Sequence, residues 1–135
     1  MSDLKNARMV LGLARDDLVA LQEMKGSARI SDRTLGFHGQ QAVEKALKAW
    51  LALLDVDYPK THDLDELLAL LDEKHQVVPR GFRALAYLTD YAVLLRYGIP
   101  DQDGGGLDRS ALVREVSDLV QHVERLVAEE ISEGQ

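Results

Sequence analysis

The 135-residue chain contains no cysteine, three prolines and seven aromatic residues among Phe, Trp and Tyr. Without cysteine there is no disulfide framework, no thiolate nucleophile and no zinc–thiolate site. No stretch approaches the roughly 20 uninterrupted apolar residues that span a bilayer. The opening Met1-Ser2-Asp3-Leu4-Lys5 has no apolar core or cleavage site, so no signal peptide is expected and the expected location is cytoplasmic. Runs of alternating β-branched residues are missing too, as are internal repeats, and this argues against sheets and solenoids.

What is present suits a single globular domain over 1–135, of radius of gyration about 14 Å. Hydrophobic residues are 46% and charged residues 29%, enough to bury a core and stay solvated. Net charge is −7, which opposes non-specific binding to a phosphate backbone. The imbalance lies in the second part of the chain: residues 1–50 have eight Lys/Arg against six Asp/Glu, and residues 51–135 have eight against seventeen. An anion-binding face would therefore draw mainly on the first 50 residues.

Pro59, Pro79 and Pro100 fall where the apolar pattern breaks and punctuate loops. Leu4, Ala7, Leu11, Ala14, Leu18 and Leu21 recur at steps of three and four, predicting a first helix from a Ser2 cap to about Lys25. A second helix is expected from Ser31 or Asp32 to about Leu54, burying Leu35, Val43, Leu47 and Trp50. A short third helix, capped by Asp63, runs to about Lys74 on Leu64, Leu67, Leu68 and Leu71. A fourth is expected over 79–97 and a last one from about Asp108, joined by the glycine-rich connector 98–107. The acidic tail 129–135 is expected to fray. The expected fold is all-α, an antiparallel up-and-down bundle of four long helices plus one short helix.

Three stretches could carry chemistry. In Phe37–Trp50, His38, Gln41, Lys45 and Lys48 share one stripe, and Gln41, Glu44 and Lys48 an adjacent one. The plain reading is a polar face with a Glu44–Lys48 pair worth about 0.3–0.5 kcal/mol. In Thr61-His62-Asp63-Leu64, Asp63 caps a helix, and His62 could meet an anion at its positive end. Arg96 closes the third stretch; it either faces a negative helix end or grips a carboxylate or phosphate with its planar fork. No His-x-x-x-His pair occurs among His38, His62, His75 and His122, so neither a metal nor another cofactor is expected. Asp16-Asp17 and Asp72-Glu73 look solvated, the triple glycine lacks the Lys-Ser/Thr of a phosphate loop, and no serine sits in a nucleophile elbow.

The order FHxQQAxEKALKAxL, then PxTHDL, then an aromatic-rich segment ending Arg96-Tyr97 before Pro100-Asp101, resembles the prokaryotic HEPN family over about residues 4–127. The resemblance implies a five-helix bundle, a homodimer and a partnership with a small nucleotidyltransferase. Many members of that superfamily are metal-independent ribonucleases, toxins among them, and others are non-catalytic and bind nucleotides. The ribonucleases have an Arg followed after four to six residues by His. Counting from Arg96, those positions hold Asp101, Gln102 and Asp103. Gln cannot transfer a proton as an imidazole does, and Asp does so only with a large pKa shift. Arg33 and His38 match the spacing literally, but roughly one such match arises by chance. They also point about 140° apart on a helix.

The expected function is thus a non-catalytic binding or regulatory domain. Lys45, Lys48 and Arg96 would meet phosphate, with Gln41 and His62 reading a base, and His38 and Glu44 completing the set. The alternatives are a metal-independent ribonuclease pairing Arg96 with a non-standard base, Asp101 or a second subunit's His38, and a purely structural dimerisation module.

Overall fold

The computed structural model describes residues 3–92 and 106–134, which are helical apart from turns and short connections. Helix α1 spans Leu4–Met24, α2 Asp32–Leu53, α3 Leu64–Glu73, α4 Arg80–Arg83 and α5 Arg109–Glu133. The all-α bundle of the sequence reading stands. The α1 seam is buried as expected from Ala7 to Leu21, with Leu4 only half-buried. Its cap is Asp3 rather than Ser2, accepting from the Asn6 N–H.

Short connections and end-to-end contacts set the helix directions. The Asp3 N–H at the start of α1 donates to the Ala52 carbonyl near the end of α2, so the two helices are antiparallel. Arg109, opening α5, reaches the α1–α2 turn. Its guanidinium donates to Asp32, to the Ser27 carbonyl at 2.9 Å and to the Ile30 carbonyl. Hence α5 starts where α2 starts and runs parallel to it. Helix α2 lies at the centre, with Leu35, Leu47 and Leu51 at 0–1% exposure against α1, α3 and α5. Each such leucine contributes about 2 kcal/mol of transfer free energy.

Helices α2 and α3 stop in the same way. Val56 N–H donates to Leu51 and Asp55 N–H to Ala52; Gln76 N–H donates to Leu71 and His75 N–H to Asp72. These are paired six-to-one and five-to-two closures, with Asp55 (φ 57°) and His75 (φ 56°) in the left-handed position that glycine usually fills.

Two expectations fail. The segment 79–97 is not one long helix. After α4 comes a 3-10 turn, Ala84–Leu88, and helical backbone resumes at 89–92; residues 93–97 lie outside the described residues. The spacing allows this and packing against α2 selects it: Phe82, Leu85, Leu88 and Tyr91 are each three apart. On an α-helix that row slips about 60° per step, whereas three residues per turn keep it on one line facing the core. Leu85 and Leu88 are accordingly fully buried. The tail does not fray by 129 either, because α5 continues to Glu133. Ile131 packs partly against the core and holds that last turn in place.

Candidate functional site

Two polar networks grow from α2, and they divide between them the expected site residues other than Arg96. The first is centred on Glu44, a carboxylate only 4% exposed. Its Oε1 accepts from Gln40 Nε2 at 3.0 Å and meets His62 Nδ1 at 2.7 Å, while Oε2 accepts from Lys48 Nζ at 2.9 Å. Gln40, fully buried, also donates to the His62 carbonyl at 3.0 Å and accepts from Gln41 Nε2 at 2.7 Å. Thus the loop before α3 is latched to α2 by both the backbone and the ring of His62. Lys48 further sits 5.6 Å from the Tyr58 ring centroid, whose hydroxyl accepts from Asn6 of α1.

The second network faces α1. Asp17, with its side chain 14% exposed, accepts from Lys45 Nζ at 2.6 Å and meets His38 Nδ1 at 3.2 Å. His38 and Lys45 are seven residues apart, two turns, and so project on one line. Arg96 lies outside the described residues, as do the glycine-rich connector up to position 105 and Asp101 to Asp103.

Gln41, Glu44, Lys48 and His62 are therefore together, and His38 and Lys45 form a neighbouring pair. Sequence reasoning missed Gln40 and misread Asp17 as solvated. A signal for Asp17 exists: it lies three residues after Ala14 and four before Leu21, on the flank of the buried seam. Gln40 repeats at i+4 as Glu44 and again as Lys48, a polar line on a helix that buries nearly its whole circumference.

Burial alone would push the Glu44 carboxyl up. The hydrogen bonds from Gln40, His62 and Lys48, with the charge of Lys48, outweigh it and hold the group below its ordinary value. Glu44 is thus an anion in the fold. Its charge favours the His62 tautomer that carries a proton on Nδ1. The His62 side chain is 48% exposed, so this carboxylate-oriented imidazole reaches the surface. The charges of Asp17, Glu44, Lys45 and Lys48 sum to zero.

The remaining histidines are placed differently. His122 lies between the Trp50 and Phe82 rings, at centroid distances of 4.9 and 5.3 Å. Desolvation first, then the nearby Arg125, hold its pKa below the ordinary value. His75 closes α3. Among the described residues no group of three or more His, Asp or Glu is placed to hold a metal ion. Nor is any described helix long and apolar enough to cross a membrane.

An all-helical bundle with a buried central helix and a latched polar core narrows the class to helical-bundle domains. The family model described as HEPN domain matches residues 7–133, and the chain belongs to that family. Among solved structures, TT1696 from Thermus thermophilus superposes with a TM-score of 0.64 at 29% identity, over 92% of this chain and 97% of that one. No curated protein matches the chain significantly.

Proposed function

We propose that this chain is a non-catalytic HEPN domain, a cytosolic homodimeric binding module that takes a nucleotide and partners a small nucleotidyltransferase. The observation that carries this reading is the internal compensation of the polar stripe. Lys45 and Lys48 are spent on Asp17 and Glu44, and the imidazoles of His38 and His62 rest on the same two carboxylates. A ribonuclease needs unspent cations at the scissile phosphate and an imidazole spaced from its arginine. This stripe instead offers hydrogen-bonding edges, Gln41 and His62, suited to reading a base.

Because Lys45 and Lys48 are held by carboxylates, phosphate is met chiefly by Arg96. Titrating AMP and ATP into the wild type and His62→Ala tests this reading, with binding expected in the first and its loss in the second. No binding at millimolar nucleotide removes the ligand from the proposal. A structured RNA incubated with excess chelator tests the non-catalytic part: no cleavage is expected. Cleavage that disappears in Arg96→Ala would instead place the protein among the ribonucleases.

A further inference from the structure

The buried seam of α1 has a counterpart on the opposite side of the same helix. Lys5, Met9, Gly12, Asp16, Val19 and Glu23 recur at steps of four and three, the spacing by which one helix lies along another. Two of them are large apolar side chains left in water, Met9 at 63% and Val19 at 55% exposure, and Leu13 at 46% borders the same strip. Gly12 sits at its middle, where an added Cβ would meet nothing within 4 Å. Lys5, Asp16 and Glu23 have no ion-pair partner among the described residues.

We propose that a second copy of this chain covers this strip, α1 against α1 in antiparallel register about Ala14. This rests on the homodimer of the reading above and gives it a face. The charges decide the direction. A parallel pair would stack Lys5 on Lys5, Asp16 on Asp16 and Glu23 on Glu23. The antiparallel pair matches residues equidistant from Ala14. Lys5 then meets Glu23 of the other copy, Met9 meets Val19, and Gly12 meets Asp16, each twice, as a two-fold axis requires. The apolar contacts lie between the terminal ion pairs and the central Gly12–Asp16 approach, where the missing side chain at Gly12 makes room for Asp16. Glycine inside a helix costs about 1 kcal/mol, which a close approach offsets.

The cysteine-free sequence makes the register directly readable. Met9→Cys/Val19→Cys is expected to form a covalent dimer on mild oxidation. Met9→Cys alone is expected to remain uncrosslinked, since ten helical residues, about 15 Å, separate one Met9 from the other. Analytical ultracentrifugation supplies the second measurement. The wild type is expected to be dimeric, Lys5→Glu to weaken dimerisation about tenfold, and Lys5→Glu/Glu23→Lys to restore it. All these positions are exposed, so helical circular dichroism should be unchanged. A monomeric wild type would overturn both the homodimer and this face. A dimer indifferent to Lys5→Glu, with no crosslink in the double variant, would overturn the face alone.

Discussion

Glu44 has surrendered nearly all its hydration, and a lone carboxylate at 4% exposure would stay protonated. It is ionised because three donors on two elements reach it: Gln40 and Lys48 from its own helix, and His62 from the loop before α3. The cost of removing it is correspondingly asymmetric. Glu44→Ala leaves the Lys48 ammonium, 14% exposed, without its counter-ion and frees the latch on His62. Urea denaturation should show a loss of about 3 kcal/mol, the scale for orphaning one member of a buried pair. Glu124→Ala gives the contrast. It breaks an equally short contact, Arg15 Nε to Glu124 at 2.7 Å, but both side chains are 36% or more exposed, and the loss should stay below about 0.5 kcal/mol. Distance alone does not decide the worth of an ion pair; the extent to which water is excluded from it does.

Among the elements, those whose apolar residues recur at steps of three and four were legible from the sequence, because that period fits a helix and not a strand. Helices α1, α2, α3 and α5 are of this kind, and the caps Ser31, Asp63 and Asp108 mark their starts. The segment after Pro79 was not, because Phe82, Leu85, Leu88 and Ala92 fit an α-helix nearly as well as they fit a 3-10 turn. What settles it is tertiary: where the buried row must land against α2. Of the site, the residue types on α2 were legible and their partners were not. Lys45 could have paired with any acid within reach, and only the packing of α1 brings Asp17 to it. The same packing gives Gly36 its role. A Cβ there would overlap the Tyr91 ring, so glycine admits the segment at 89–92 against α2. Gly36→Ala should destabilise by about 1–3 kcal/mol through displacement of that ring, although alanine is the better helix former. A melting curve that moves upward instead would show that Tyr91 swings away without penalty.

At the scale of the whole molecule, the buried Glu44 and the partly exposed His122 titrate in the same sense and should shape the stability curve. His122, flanked by Trp50 and Phe82, has its pKa lowered from 6.5 in the fold. As pH falls past that ordinary value the unfolded chain takes up a proton that the folded chain refuses, so stability declines until the folded pKa is reached. Glu44 has its pKa lowered from 4.5. Its contribution is fully present above that value and is lost as pH falls through the folded pKa, again because the unfolded state binds the proton first. Unfolding free energy measured by denaturant across pH should therefore fall in two steps on acidification, one beginning near 6.5 and one beginning near 4.5. His122→Leu should remove the first step and spare the second. Glu44→Gln should leave the first and shrink the second, the remainder coming from carboxylates such as Asp72, whose pKa is lowered by its hydrogen bonds with Arg83. A single step unchanged by either substitution would mean that the charge of the whole chain, rather than these two groups, governs its acid unfolding.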